Sequence, residues 1–210
     1  MSSNATPIRV LAVDDHQLIR VGIATLLLPE PDMKLVGEAS NGREAIAKFR
    51  ACRPDVTLMD LQMPEMNGFD AIIAIRDEFP GAQLIVLTTY AGDAQALRAI
   101  KAGAQAYLLK SLLHKELLQT IRTVHTGHKA MSPDIAAQIA EHTGEEGLTY
   151  KEIDVLRLIA WGNANKQIAT ELSITEETVK SRVKNILSKL GANDRTHAVA
   201  IAIKRGIVEL

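Results

Sequence analysis

The stretch Val56-Thr57-Leu58-Met59-Asp60-Leu61-Gln62-Met63-Pro64 (residues 56–64) decides the fold of this chain. Its apolar residues are typical of a buried strand, and the run stops at Asp60, just before a Met-Pro turn. In a parallel α/β sheet, the ligand crevice lies at the carboxyl ends of the strands. Asp60 is therefore the candidate reactive group.

The same alternation of strand and helix surrounds this stretch. Strands are predicted at Ile8–Val13, Lys34–Ala39, Val56–Asp60, Gln83–Thr88 and Ala106–Leu109, and a helical pattern follows each of them. Strands and helices that alternate with right-handed crossovers form one doubly wound sheet. The sequence predicts an α/β fold with a flavodoxin-like, five-stranded parallel sheet in the order 2-1-3-4-5.

The pattern changes near residue 127. Residues 128–147 contain Ser132-Pro133, one modest helical pattern at 134–142 and an acidic stretch with glycines, which predicts an interdomain linker. Thr149 and Glu152 then form a capping box, and four short helices without strands follow, with Trp161 predicted in their core. We therefore predict a first domain at 1–127 and a smaller, all-α domain at 148–210.

Composition limits the possible classes of function. The single cysteine, Cys52, excludes an internal disulfide and a cysteine-based zinc site, and the six histidines are scattered without metal-ligand spacing. No apolar run approaches the roughly 20 residues of a membrane span, so no membrane partner and a cytoplasmic location are expected. Residues 148–210 hold 10 Lys or Arg against 7 Asp or Glu, which makes this domain the basic one.

Polar residues follow four of the predicted strands. Strand order 2-1-3 brings Asp14, Asp15 and Asp60 to one crevice, and three close carboxylates need a cation such as Mg²⁺. Thr88 and Lys110 end the fourth and fifth strands and supply a hydroxyl and a positive charge. Carboxylates, a metal, an ammonium and a hydroxyl are the groups that phosphoryl transfer needs.

The first 127 residues resemble the receiver domains of two-component response regulators. The resemblance lies in Val13-Asp14-Asp15, Met59-Asp60-Leu61-x-Met63-Pro64-x-Met66-x-Gly68, Leu87-Thr88 and Gly103-Ala104-x-x-Tyr107-Leu108-Leu109-Lys110. It implies that Asp60 is the phosphoacceptor. It also implies direct Mg²⁺ ligation by Asp15 and Asp60, with the Gln62 carbonyl as a third ligand and Asp14 bound through water.

The same resemblance assigns the phosphoryl-binding and switch residues. Thr88 and Lys110 would bind the phosphoryl oxygens. Tyr107 is either a packing residue of the sheet or the aromatic that swings inward when Thr88 is drawn to the phosphoryl group. Ser111 departs from the proline that many receivers carry after the lysine.

The second domain contains two helices joined by a very short turn, at Lys166–Leu172 and Glu176–Leu190. The second helix buries one apolar stripe and presents Lys180, Ser181 and Lys184 away from it, either as a solvated face or as a face for the DNA major groove. Residues 148–207 resemble the LuxR-type helix-turn-helix of NarL/FixJ response regulators through Leu148-Thr149-x-x-Glu152, Val155-Leu156, Gly162-x-x-Asn165-Lys166-x-Ile168-Ala169, Thr178-Val179-Lys180, Asn185-Ile186-Leu187-x-Lys189-Leu190 and Asp194-Arg195-Thr196.

This second resemblance implies DNA contacts. Lys180, Ser181 and Lys184 would read bases, whereas Lys166, Thr178, Arg182 and Lys189 would contact phosphates. The apolar last helix, at residues 196–205, supplies core packing and is expected to contribute to a dimer.

The two resemblances together predict a transcription factor that a sensor histidine kinase phosphorylates on Asp60, and that then dimerises and binds promoter DNA. Two rival functions remain at this point. The first is a DNA-binding regulator whose receiver works independently of phosphorylation. The second is a Mg²⁺-dependent phosphohydrolase with Asp60 as its nucleophile.

Overall fold

The computed structural model describes residues 6–89, 93–131, 137 and 148–208, of which 93–95 and 150 are described by their backbone alone. The chain forms two compact units. Of the described residues, one unit contains those up to Met131 apart from Asp93–Gln95, and the other contains Asp93–Gln95, Ala137 and residues 148–208. Among the described helices, none combines the length and the apolar character that a membrane span requires.

The first unit alternates strands and helices. Its strands are β1 (Ile8–Val13), β2 (Met33–Ala39), β3 (Val56–Asp60), β4 (Leu84–Thr88), β5 (Ala106–Leu109) and β6 (Ala130–Met131). Its helices are α1 (Gln17–Leu27), α2 (Gly42–Cys52), α3 (Gly68–Glu78), α4 (Asp93–Lys101) and α5 (Leu113–His125), with one 3₁₀ turn at Lys110–Leu112. These bounds agree with the predicted elements to within a few residues, because long apolar periods identify both element types.

All strands of the sheet are parallel, in the order β2-β1-β3-β4-β5-β6. A core of buried aliphatic residues covers one face, where Ile23 and Leu27 of α1 and Leu117 and Ile121 of α5 pack on the strands. Helices α2 and α3 contact β1, β2 and β3 but contribute nothing to this core, so they cover the other face. Because helices cover both faces of the sheet, every residue of β3 and β4 is buried, and most of these residues are apolar rather than alternating with polar ones.

The sixth strand is a difference from the predicted five-stranded sheet. Ala130 and Met131 pair in parallel with Ala106 and Tyr107 of β5, and the Ala130 N–H donates to the Gln105 carbonyl at 3.0 Å. A two-residue strand has no periodicity that a sequence pattern reveals. The predicted linker at 128–147 therefore begins with residues of the sheet, and its predicted helix at 134–142 lies outside the described residues except for Ala137.

The second unit consists, in its described part, of the helices α6 (Tyr150–Ala160), α7 (Asn165–Glu171), α8 (Glu176–Leu190) and α9 (Arg195–Lys204). Thr149 caps α6 in the predicted capping box. The predicted apolar stripe of α8 lies against the core: Val179 and Ile186 are buried, and Val183 and Leu190 are partly buried.

The prediction that Trp161 packs in this core is wrong. Trp161 is 61% exposed. It follows the last residue of α6, and Gly162 takes a left-handed backbone conformation (φ 85°) directly after it. The chain turns away at this point, so the indole points into solvent, and the core is filled by aliphatic side chains such as Leu156 and Ile168.

Candidate functional site

The carboxyl ends of β1 and β3 lie side by side and carry the acidic residues. Val13 pairs with Met59 in the parallel register, so Asp14 and Asp60 follow at the same level of the sheet. The side chains of Asp14 and Asp60 are buried, whereas that of Asp15 is partly exposed. The strand order thus brings together three carboxylates that are distant in sequence.

Lys110 places its ammonium between two of these carboxylates. It follows β5 directly, and its Nζ lies 2.7 Å from Asp14 Oδ2 and 2.9 Å from Asp60 Oδ2. Only 9% of its side chain is exposed. One cation therefore neutralises carboxylates that come from two different strands.

Burial and charge determine the protonation of this group. Burial raises the pKa of Asp60 to about 6, because the attraction of Lys110 offsets only part of the cost of desolvation. Burial alone would lower the pKa of Lys110, but Asp14 and Asp60 outweigh it and raise that pKa. Near neutral pH, Asp60 is an ionised but poorly solvated carboxylate, which suits a nucleophile.

The remaining predicted residues of the receiver site surround Asp60. The backbone N–H of Gln62 donates to Asp60 Oδ1 at 3.3 Å, so this peptide lies at the site. Thr88 is buried at the end of β4, beside β3. Tyr107 is 3% exposed on β5 and lines a cavity of about 370 Å³ that also borders α5 and β6.

A close backbone approach holds the segment that follows Asp60. A Cβ on Gly68 would lie 2.0 Å from the backbone oxygen of Asp60, so only glycine fits there. The Gly68 N–H donates to the Leu61 carbonyl at 3.0 Å, and the Gly42 N–H donates to the Met66 carbonyl at 2.9 Å. This loop is therefore tied both to β3 and to the start of α2.

The acidic residues have the donor set of a divalent metal site. One donor atom from each of Asp14, Asp15, His16 and Asp60 lies within 4.8 Å of the others. Asp14 Oδ2, Asp15 Oδ1 and Asp60 Oδ2 are buried and accept no hydrogen bond of standard geometry, although each lies within ion-pair distance of a basic side chain. Carboxylate oxygens with unused acceptor capacity fit Mg²⁺.

His16 is the residue of this cluster that sequence reasoning missed. Its Nδ1 lies 2.7 Å from Asp15 Oδ1 and 3.4 Å from Asp14 Oδ1. The scatter of histidines along the chain hides this arrangement, because a metal site assembled from several strands has no characteristic spacing. Its position directly after Asp14-Asp15 was the available signal.

The second unit contains the predicted helix-turn-helix. Residues 172–175 join α7 to α8, with Ser173 in a left-handed conformation (φ 51°) and the Thr175 side chain accepting the Thr178 N–H. Ala164 precedes α7 without a side-chain acceptor, so only half a capping box remains there, in which Gln167 Oε1 accepts the Ala164 N–H at 2.7 Å.

The structure exposes most of the residues predicted to contact DNA. Lys180, Ser181 and Lys184 are exposed on α8, opposite its buried stripe, and Lys166 is exposed on α7. Arg182 and Thr178 are partly buried, and the Thr178 hydroxyl lies 2.7 Å from that of Thr175.

Lys189 has a structural contact as well. Its Nζ lies 3.0 Å from Glu152 Oε2, and both side chains are largely buried. The same Glu152 oxygen accepts from the Thr149 backbone and hydroxyl, so burial of Glu152 is offset by three donors and its pKa is lowered. Lys189 therefore joins the end of α8 to the start of α6.

Two family models match this chain. The response regulator receiver domain matches residues 10–122, and the model of bacterial regulatory proteins of the luxR family matches residues 146–202.

Relatives extend this match over nearly the whole chain. The response regulator protein VraR of Staphylococcus aureus is 37% identical over 207 residues, which cover 96% of this chain and 99% of VraR. The response regulator ChrA of a heme-sensing two-component system is 32% identical, covers 96% of this chain and 98% of its own, and has a TM-score of 0.56. RcsB of Salmonella typhimurium, solved in work on its DNA interaction, is 25% identical over 93% of this chain and 97% of its own, with a TM-score of 0.63.

The two matched models, the relatives and the observed sheet and helices agree on one type of protein. The chain therefore belongs to the NarL/FixJ-type response regulators, in which a receiver domain is joined to a LuxR-type DNA-binding domain of a transcription factor.

Proposed function

We propose that a sensor histidine kinase phosphorylates Asp60 and that this controls dimerisation and sequence-specific binding to promoter DNA. The observation that carries the proposal is the Asp60 carboxylate, held at the end of β3 beside Asp14 and Asp15 and within 2.9 Å of Lys110 Nζ. This setting matches the requirements of phosphoryl transfer to a carboxylate. The family's signalling role favours this proposal over a phosphohydrolase.

The transfer forms one bond and breaks one bond. An oxygen of Asp60 attacks the phosphorus of the kinase phosphohistidine, and the phosphorus–nitrogen bond breaks with the electron pair returning to the imidazole. The buried Lys110 ammonium offsets the negative charge on the phosphoryl oxygens, and the Thr88 hydroxyl donates to one of them. Asp60 and Lys110 orient the group from fixed positions at strand ends, and the Thr88 hydroxyl turns toward it.

The proposed metal is Mg²⁺. Asp15, Asp60 and the Gln62 carbonyl would hold it directly, and Asp14 through water, and it would neutralise charge on the phosphoryl oxygens. The donor atoms of Asp14, Asp15 and Asp60 lie within 4.8 Å of one another, which supports this assignment.

The proposed signal passes from Thr88 to Tyr107. Drawing the Thr88 hydroxyl to the phosphoryl group vacates space beside β5, and the already buried Tyr107 side chain repacks into that space. Tyr107 is paired in register with Met131 of β6, a strand at the start of the linker segment. Phosphorylation then acts as a population shift, because the phosphoryl group binds one arrangement of this edge better than the other.

DNA recognition is assigned to α7 and α8. Lys180, Ser181 and Lys184 read bases from the exposed side of α8, which suits a helix lying in the major groove. The residues assigned to phosphates are Lys166, Thr178, Arg182 and Lys189. Lys189 would make its contact while remaining paired with Glu152.

A homodimer would present two such helices to two half-sites. The exposed and half-buried apolar residues of α9, namely Val199, Ala200, Ile201 and Ile203, are the proposed contact. The proposed domains are residues 1–127 and 148–210 with the linker at 128–147. A kinase-controlled promoter-binding protein works in the cytoplasm.

Phosphorylation is tested on full-length protein with Mg²⁺ and acetyl phosphate, followed by intact mass spectrometry. Wild type is expected to gain one phosphoryl group that Asp60→Asn does not gain. Equal gain by both variants would contradict Asp60 as acceptor, and sustained hydrolysis of phosphate esters would favour the phosphohydrolase.

Control of DNA binding is tested by selecting genomic fragments with phosphorylated protein and measuring their affinity with and without phosphorylation. The affinity is expected to rise on phosphorylation in wild type and to stay unchanged in Asp60→Asn. An affinity that phosphorylation does not change would favour the regulator that works independently of phosphorylation.

The base-reading role is tested by Lys184→Ala. This change is expected to weaken specific binding more than non-specific binding, by about 1–3 kcal/mol for the specific site. The matched control is Lys151→Ala, which removes another exposed lysine outside α7 and α8. Equal losses on specific and random DNA would reduce Lys184 to a phosphate contact.

A further inference from the structure

We propose that His16 is a further protein ligand of the metal site and gives it a preference for divalent transition metals such as Ni²⁺ over Mg²⁺. The inference rests on the proposed function, because it takes the acidic cluster as the metal site. It extends that function by adding a nitrogen ligand to the proposed Mg²⁺ site, to which a second class of cation would then bind more tightly.

The distances around His16 suit metal coordination. In an octahedral shell with metal–ligand bonds near 2.1 Å, neighbouring donors lie about 3 Å apart and opposite donors about 4.2 Å apart. Nδ1 of His16 lies 3.4 Å from Asp14 Oδ1 and 2.7 Å from Asp15 Oδ1. Small side-chain rotations therefore bring the imidazole and the carboxylates onto one ion.

The backbone holds His16 at the site. Its N–H donates to Asp14 Oδ1 at 3.0 Å, and its extended backbone (φ −82°, ψ 108°) forms the N-cap of α1. The imidazole itself is 69% exposed, so an ion arriving from solvent reaches Nδ1 without any change in the core. The backbone of His16 is therefore held in place, while its imidazole remains accessible to solvent.

Lys110 does not occupy the same side of the carboxylates. Its Nζ pairs with Oδ2 of Asp14 and Oδ2 of Asp60. The Oδ1 atoms of the two residues contact the backbone N–H groups of His16 and Gln62 instead. An ion on the Oδ1 side, next to His16, leaves the ion pairs of Lys110 in place.

The chemistry of the donor set determines the selectivity. Mg²⁺ prefers oxygen ligands and keeps its waters, so an added imidazole contributes little to its binding. Imidazole nitrogen strengthens the binding of Ni²⁺ and Co²⁺, which rank above Mn²⁺ at mixed nitrogen and oxygen sites. An imidazole added to the oxygen ligands of this site therefore separates the two classes of metal by their affinity.

The test is isothermal titration of tag-free, full-length protein with NiCl₂ and, separately, MgCl₂. His16→Ala is expected to weaken Ni²⁺ binding by about tenfold or more, as loss of a ligand or its support does, and to leave Mg²⁺ affinity nearly unchanged. His16→Gln should behave as His16→Ala does. His114→Ala, which removes an exposed imidazole on α5, should change neither affinity.

Four outcomes separate this inference from the proposed function. Ni²⁺ affinity that His16→Ala leaves unchanged overturns the role of His16, and so do equal losses for Ni²⁺ and Mg²⁺. Mg²⁺ binding that Asp60→Asn abolishes supports the metal site whatever His16 does. Wild type that binds neither ion overturns both the inference and the proposed metal site.

Discussion

Lys110 Nζ lies 2.9 Å from Asp60 Oδ2, and both side chains are largely buried. Asp14 shares the same ammonium, so two carboxylates of adjacent strands depend on one cation. The negative charge of ionised Asp60 is therefore compensated mainly by the Lys110 ammonium. Its raised pKa shows that this lysine does not fully offset the cost of burial. A buried charge with unused acceptor capacity destabilises the fold and attracts cations.

Asp60→Asn is expected to stabilise the first unit by on the order of 2 kcal/mol at pH 7.5. The folded pKa of about 6 exceeds the unfolded value of 3.8, so ionisation of Asp60 costs stability as pH rises from about 4 to about 6. The increase in the free energy of unfolding of Asp60→Asn over wild type should be complete above about pH 7 and should vanish below about pH 4. Urea unfolding at several pH values measures it.

The control for this comparison is Asp77→Asn, which removes an exposed carboxylate on α3 and should leave stability unchanged. A gain in Asp60→Asn that stays constant from pH 4 to pH 7.5 would contradict the raised pKa.

Gly68→Ala is expected to displace the Asp60 backbone. The added Cβ would lie 2.0 Å from the Asp60 carbonyl oxygen, and the chain must shift to accept it. We expect destabilisation of roughly 1–3 kcal/mol, as in other overpacked sites, and phosphorylation slowed by about 100-fold, because a small misplacement of a reacting group has such an effect. The rate with acetyl phosphate measures it.

The matched control is Gly81→Ala, because a Cβ there meets no atom within 4 Å. Phosphorylation of Gly68→Ala at the rate of Gly81→Ala would show that the close approach does not position Asp60.

Lys189→Ala is expected to lower the stability of the second unit, whereas Lys184→Ala is expected to lower its affinity for DNA. Lys189→Ala leaves Glu152 buried without its cation and should cost the second unit about 2–3 kcal/mol of stability. Lys184 is exposed, so its removal should leave stability within about 0.5 kcal/mol and weaken DNA binding instead. Thermal unfolding and DNA titration measure the two effects.

Lys189→Arg keeps the charge and should retain most of the stability. If Lys189→Ala unfolds at the wild-type temperature, the ion pair with Glu152 contributes nothing. The second measurement is the slope of log affinity against log salt concentration for DNA binding. A slope that Lys189→Ala reduces by about one would support the predicted phosphate contact of Lys189 in addition to its structural role.

Trp161→Ala is expected to change stability by less than about 0.5 kcal/mol, because the indole is exposed. Leu156→Ala is the contrasting variant, since Leu156 is fully buried and its truncation should cost about 2–5 kcal/mol. Chemical unfolding of the second unit compares them. A loss above 2 kcal/mol in Trp161→Ala would restore the predicted core role of this residue.

The sequence was sufficient to predict the parallel sheet, its strand order through β5 and the short helices of the second unit. Long apolar runs and helical periods are local signals, and connection rules leave few ways to join them. The same rules predicted that Asp14, Asp15 and Asp60 lie in one crevice, from the sequence alone. The two-residue β6 and the exposed Trp161 escaped prediction, because neither depends on a local period.

By itself, the sequence determined that polar residues lie at the ends of the predicted strands. It therefore determined that Asp60 lies at the carboxyl edge of the sheet. Only the tertiary structure decided how these groups share charge. Lys110 pairs with the Oδ2 atoms of Asp14 and Asp60, and His16 lies near Oδ1 of Asp14. Lys189 pairs with the largely buried Glu152. These pairings depend on distances of a few ångströms between chain segments that are far apart in sequence. Burial of a charged side chain is costly unless an oppositely charged partner lies within reach.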